Sequence, residues 1–140
     1  MNSDQFNQKF PSTDEASDRP LLVSNKALER YVGKQNLIVN ALAPWCPHCK
    51  EFAPVYDQFT SQWLSEHPQI VPVNYNAYKN KEQLHHLQIG KVSYGHSISE
   101  AIRGYPTIMF LRKDGKAAIY GGERSAEPMI SEAGKFFEVL

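Results

Sequence analysis

The chain has 140 residues, enough for one domain with its own core, and 41% of them are hydrophobic. Fifteen basic residues balance fifteen acidic ones, so nothing in the charge points to nucleic acid or a membrane surface. No apolar run approaches the ~18 residues needed to enter and span a bilayer, and two cysteines are too few for a disulfide-stapled scaffold.

Residues 1–20 are polar, carry Asp4, Asp14, Glu15 and Asp18, and read as a disordered, solvated tail ahead of a single domain over residues 21–140. The start does not have the form of a signal peptide, and the end, Phe137 to Leu140, carries no retention signal for the endoplasmic reticulum. The expectation is a cytoplasmic protein if Met1 is the native start, and a secretory-pathway lumen if a leader was removed.

Leu21-Leu22-Val23 suits a short edge strand. Ser24 suits a helix N-cap, with Ala27, Leu28, Tyr31 and Val32 at helical spacing behind it. Leu37 to Leu42 is an apolar run interrupted by Asn40, as in a buried strand. From Pro47 the period lengthens, and Phe52, Val55, Tyr56, Phe59 and Trp63 fall on one helical face, with a kink predicted at Pro54. Ile70 to Tyr75 reads as a strand. Residues 79–102 read as helical in part, broken by Gly90 and Gly95. Ile108 to Leu111 is a wholly apolar strand, followed by the turn Lys113-Asp114-Gly115 and a strand over 116–120. Ser125 caps a last helix carrying Met129, Ile130, Ala133 and Phe137. Strands alternating with helices, then a hairpin and a closing helix, predict an α/β domain whose sheet is covered on both faces.

Both cysteines lie in one phrase, Trp45-Cys46-Pro47-His48-Cys49, at the junction of a strand and a helix. A sulfur at Cys46 faces unpaired backbone N–H groups and the positive end of the helix dipole, which favour the thiolate. Pro47 suits the first helical turn, where a missing N–H costs nothing. His48 can donate to the Cys46 thiolate, and Cys49 is one turn on, close enough to bridge. Redox chemistry is the reading this context favours. Half a zinc site would need two more ligands, and only the adjacent His85 and His86, which point in different directions on a helix, suggest themselves. An inert structural disulfide is the third reading.

Ala43-Pro44-Trp45-Cys46-Pro47-His48-Cys49-Lys50, with Pro54 after it, resembles the active-site stretch of thioredoxin-fold proteins, and most of all a catalytic domain of the protein disulfide isomerase family. Arg103-Gly104-Tyr105-Pro106-Thr107 is similar to that family's cis-proline loop, and Tyr120-Gly121-Gly122-Glu123-Arg124 to the segment before its last helix. The resemblance covers residues 21–139 and implies a thioredoxin fold, a central mixed β-sheet flanked by helices on both faces. It implies that Cys46 is the nucleophile and Cys49 the resolving thiol, with a redox-active Cys46–Cys49 disulfide in place of any metal or organic cofactor. It implies a cis Tyr105–Pro106 bond beside the dithiol, an Arg124 that stabilises the Cys49 thiolate, and a substrate surface made by Trp45, Pro47, Gly104, Tyr105 and Pro106. The implied activity is thiol–disulfide exchange on protein or peptide thiols and disulfides by a monomer, served by a redox partner or glutathione. The rival expectation is a thioredoxin-fold binding module or assembly chaperone whose dithiol is secondary.

Three departures from the family pattern stand out. The Pro-His dipeptide resembles that of strongly oxidising bacterial dithiol oxidases, and the span between reducing and oxidising members is about 150 mV, or ~7 kcal/mol. Six residues before Cys46, where the family carries a buried acid, stands Asn40, and the acid's lysine partner maps to Asn74 or Val73. Asparagine hydrogen-bonds but cannot take up a proton there. Finally, the stretch from Asn76 to Arg103 is longer than the pattern, with extra material around Ile89 to Ser99 expected to reshape the substrate groove.

Overall fold

The computed structural model describes residues 34–78 and 102–139, and the backbone of three short strands at 21–23, 88–89 and 96–97. The tail, the helix expected after Ser24, His85 and His86 lie outside the described residues. Among the described residues, seven strands and two helices follow in chain order: β1 (Leu21–Val23), β2 (Leu37–Leu42), α1 (Pro47–Glu66), β3 (Val71–Asn76), β4 (Gln88–Ile89), β5 (His96–Ser97), β6 (Thr107–Leu111), β7 (Ala117–Ile119) and α2 (Ala126–Phe137).

Five strands form one mixed sheet in the order β1-β3-β2-β6-β7. The central strand β2 runs parallel to β3 and antiparallel to β6, and β7 closes the hairpin with β6. Central strands are buried on both faces and so read as near-continuous apolar runs; β2 and β6 are buried along their whole length. Alternation divides their side chains between two cores. Leu37, Val39, Ala41, Val73, Tyr75 and Met109 form one. Ile38, Ile108 and Phe110 face the other way, onto Phe52, Tyr56, Phe59 and Trp63 of α1 and onto Met129, Ala133 and Phe137 of α2.

The aromatic stripe of α1 supplies the bulk of this second core. Successive rings from Phe52 through Tyr56 and Phe59 to Trp63 lie 5.7, 5.9 and 6.0 Å apart. Truncating one such fully buried ring to alanine costs about 3–5 kcal/mol. The polar tips are paired: the Tyr56 hydroxyl donates to the Val73 carbonyl at 2.9 Å and the Trp63 indole N–H to the Ile70 carbonyl at 2.8 Å. These bonds fix α1 against β3 and the residue before it, and with it the end of the helix that carries the cysteines. Pro54 sits inside α1, which continues to Glu66. No helix among the described residues is long and apolar enough to cross a membrane.

Two expectations need correction. Ser125 is the N-cap of α2, but its hydroxyl makes no capping bond; Glu127 in the first turn is left to complement the dipole. The strand expected over 116–120 is shorter, because Gly115 at φ 95° sets the hairpin turn and Lys116 already belongs to it, accepting from Arg112 N–H at 2.8 Å. Within 79–102, β4 and β5 pair antiparallel, Gln88 with Ser97 and Ile89 with His96; residues 79–87, 90–95 and 98–101, on which the helix expected in part falls, lie outside the described residues. The intervening sequence holds two glycines, each costing a helix about 1 kcal/mol. This two-stranded ribbon coincides with the extra material of the sequence.

Candidate active site

The carboxyl end of β2 delivers the chain to the dithiol. After Leu42, Cys46 N–H turns back to the Ala43 carbonyl at 3.2 Å, and Cys46 becomes the N-cap of α1 with extended backbone. Its sulfur takes the part a serine oxygen usually plays, accepting the Cys49 N–H at 3.1 Å. Pro47 occupies the first helical position, where its missing N–H leaves nothing unsatisfied. Both cysteines are free thiols, nearly enclosed at 3% and 4% exposure among Leu42, Ala43 and Ala53.

The loop before β6 closes over the sulfurs. Tyr105–Pro106 is a cis bond, as the resemblance implied. The Cys46 thiol donates to the Tyr105 carbonyl at 3.5 Å, and Thr107 Oγ1 donates to the Gly104 carbonyl at 2.6 Å within the loop. Arg124 ties this loop to the segment before α2: Nη2 donates to the Pro106 carbonyl at 2.9 Å, and its guanidinium lies 5.8 Å from the centre of the Phe52 ring. That segment is itself held by the Tyr120 hydroxyl, which donates to the Glu123 carbonyl. The Tyr120 ring fills the space beside Gly122, where a Cβ would stand 2.8 Å from the hydroxyl oxygen.

The surroundings of Cys49 hold its thiol protonated. Burial pushes the Cys49 thiol up to about 12, and the hydrogen bond with Cys46 pushes the same way. A backbone hydrogen bond with Ala43 and the positive charge of Arg124 pull against that rise. Arg124 thus acts on Cys49 through its field while its hydrogen bond goes to Pro106.

His48 does not meet Cys46. Its exposed ring has Nδ1 3.7 Å from Glu51 Oε2. Side chains three apart share a helix face, so a histidine in the first turn stands over Glu51 and away from the N-cap sulfur. Pro47 and Gly104 are exposed, and Pro106 is buried, next in the chain to the Tyr105 carbonyl that accepts from Cys46.

Trp45 is 52% exposed, on the surface rather than in the core. It makes edge-to-face contacts with Tyr105 and with Tyr78, both at 5.8 Å between centroids. Sequence reasoning did not single out Tyr78. Its position was the available signal: an aromatic residue directly past the carboxyl end of a parallel strand, where open α/β sheets place their sites. The bond from Ala77 N–H to the Leu42 carbonyl at 2.9 Å brings that strand end beside the start of the dithiol loop.

Register settles which residue faces Asn40. Asn40 pairs with Asn74 across β2 and β3, while Val73 belongs to the opposite core. Asn40 Nδ2 donates to Asn74 Oδ1 at 3.0 Å, with both residues fully buried. Among the described residues, Asn40 Oδ1 and Asn74 Nδ2 have no hydrogen-bond partner, a costly arrangement for amides out of water.

Comparison with known proteins agrees with this geometry. The family model described as Thioredoxin matches residues 19–135. A protein disulfide-isomerase of Datisca glomerata is 30% identical over 129 residues, 89% of this chain and 23% of the relative. Protein disulfide-isomerase A4 of Rattus norvegicus is 29% identical over 112 residues, 79% of this chain and 15% of the relative. The chain therefore spans less than a quarter of the length of these curated relatives. Among solved structures, the first thioredoxin domain of mouse protein disulfide-isomerase A4 superposes with a TM-score of 0.64 at 26% identity, covering 89% of this chain and 84% of that one. Helix-capping dithiol, cis-proline loop, sheet order and these matches agree: the chain belongs to the thioredoxin family and is similar, within it, to the domains of protein disulfide-isomerases.

Proposed function

We propose that this domain is a thiol–disulfide oxidoreductase acting on protein or peptide substrates through Cys46 and Cys49. The observation that carries the reading is the inequality of the two sulfurs. Cys46 Sγ accepts a backbone N–H at a helix start and lies against the Tyr105 carbonyl, whereas burial keeps Cys49 protonated.

In the reducing direction the Cys46 thiolate attacks one sulfur of a substrate disulfide. A Cys46–substrate bond forms, the substrate S–S bond breaks, and the departing substrate thiolate takes a proton. Cys49 then loses its proton and attacks Cys46 Sγ. The Cys46–Cys49 bond forms, the mixed disulfide breaks, and the second substrate thiolate leaves, so the substrate gains two electrons and the domain loses two. The reverse sequence oxidises a substrate dithiol. A redox partner or glutathione resets the pair, and the two sulfurs carry the chemistry without a metal or organic cofactor.

Arg124 supports the second step by favouring the Cys49 thiolate, and the Gly104–Pro106 loop offers backbone groups to an extended substrate. The test is turnover of a peptide disulfide by wild type and by Cys46→Ser. The expected result is complete loss of exchange in the variant. A variant that keeps its rate, or a wild type that only binds the peptide, overturns the reading and favours a binding module.

A further inference from the structure

We propose that Tyr78 sets substrate preference: with Trp45 and Tyr105 it forms a three-ring strip that receives an aromatic or large aliphatic side chain two positions from the reacting cysteine of the substrate. The inference rests on the oxidoreductase reading above and adds a residue and a substrate class to it.

Exposure is the first observation. Among the described residues, three large hydrophobic side chains stand exposed, Trp45, Tyr78 and Ile119, and two of them touch each other here. Aromatic rings left half in water cost solvation, and at recognition surfaces they supply large rigid contact area with few rotamers to freeze. Tyr78 is 50% exposed and Trp45 52%, so each keeps about half its surface for a ligand while the other half is held by its neighbours.

Position is the second. The Tyr105 carbonyl accepts from Cys46 Sγ at 3.5 Å and Trp45 directly precedes Cys46 in the chain, so a substrate sulfur bonded to Cys46 lies beside these rings. Trp45 stands against both of the others, 5.8 Å from each, and Tyr78 is near enough to Tyr105 to act on its hydroxyl electrostatically. In an extended peptide, side chains two apart share a face at about 6.6–6.8 Å. In a substrate lying along the cis-proline loop with its cysteine on Cys46, the side chain two residues away is on the same face as the cysteine and within reach of this ring cluster. The residue next to the cysteine points to the other face.

Charge is the third. Exposed Lys50 and Arg103 are carried by the two segments that also carry Trp45 and Tyr105, which adds positive charge to this side of the dithiol and makes it less hospitable to a substrate lysine. The near-perpendicular Trp45 contacts are the packing aromatic groups prefer.

The experiment measures steady-state exchange by wild type, Tyr78→Ser and Tyr78→Phe. The probes are three model peptide disulfides, identical except for Phe, Ser or Lys two positions from the cysteine, and glutathione disulfide. The expected result is that Tyr78→Ser raises KM for the Phe peptide about fivefold at unchanged kcat, leaves the Ser peptide and glutathione disulfide unchanged, and is rescued by Tyr78→Phe. Equal changes for the Phe and Ser peptides, an unchanged KM for the Phe peptide, or a loss confined to the Lys peptide overturns the proposal. A wild type that exchanges with none of the four probes overturns the oxidoreductase reading itself, an outcome separable from a preference that Tyr78 does not control.

Discussion

Replacing Asn40 by aspartate tests how the buried thiol loses its proton. Burial pushes the Cys49 thiol up to about 12 in the dithiol, so its thiolate is scarce at pH 7 without assistance. Asn40 lies on the face of β2 that also carries Leu42, which packs against both cysteines, and its amide cannot accept the proton in exchange for a charge. Aspartate at this site is almost unexposed, and burial raises its affinity for a proton toward neutrality. The unpartnered Asn74 Nδ2 is available to hydrogen-bond its ionised form. A positioned base is worth about 10²–10⁴-fold; because Asn40 acts from below the pair, we expect about tenfold or more at pH 7. The assay is stopped-flow decay of a preformed Cys46–peptide mixed disulfide between pH 6 and 9. Wild type should speed up about tenfold per pH unit, because the thiolate fraction grows that way while pH stays far below the Cys49 value. Asn40→Asp should be faster at pH 7 and flatten above the ionisation of the new carboxyl. Asn40→Leu, which removes the Asn74 bond, should lose about 1–3 kcal/mol of stability and keep the wild-type slope. A wild-type rate that is flat over this range, or an Asn40→Asp rate equal to wild type, refutes the reasoning.

Arg124→Met removes the bond to the Pro106 carbonyl and a charge that favours the Cys49 thiolate, so mixed-disulfide resolution should slow severalfold while the first attack on substrate changes less. Its guanidinium is partly exposed, so the stability loss by denaturant titration should stay near 1 kcal/mol. His48→Ala should change the alkylation rate of Cys46 less than about threefold at pH 7, since the ring faces Glu51 across an exposed surface; a loss of tenfold or more would show a contact with Cys46 that the structure lacks. Gly122→Ala must displace the Tyr120 ring from its bond to Glu123, and should lower stability by about 1–3 kcal/mol in thermal unfolding.

The dithiol, its strand-to-helix setting and the proline loop were legible because their chemistry is local: Cys46, Pro47 and Cys49 fall within one helical turn, and the Tyr105–Pro106 pair announces itself. The strands were legible to within a residue or two for the same reason, since apolar runs such as Leu37–Leu42 and Ile108–Leu111 need no distant partner to be read. What escaped depends on phase or on long-range pairing. His48 looked like a neighbour of both sulfurs because it stands between them in sequence, but helical phase turns it toward Glu51. Asn40 could be matched to Asn74 or Val73 until register was known, and a one-residue shift exchanges the two faces of a strand. Tyr78 is thirty-three positions from Trp45, and only the juxtaposition of the ends of β2 and β3 brings their rings together. The β4–β5 ribbon was not read because two-residue strands are too short to show an alternation.

The most direct test of the account traps the first covalent intermediate. Cys49→Ser, mixed with a peptide disulfide and analysed by intact mass and peptide mapping, should carry one peptide bound at Cys46 that persists for hours, while wild type releases it. Cys46→Ser should carry none. No adduct on Cys49→Ser, or an equal adduct on Cys49 in the Cys46→Ser variant, would contradict the division of labour between an attacking Cys46 and a buried, resolving Cys49.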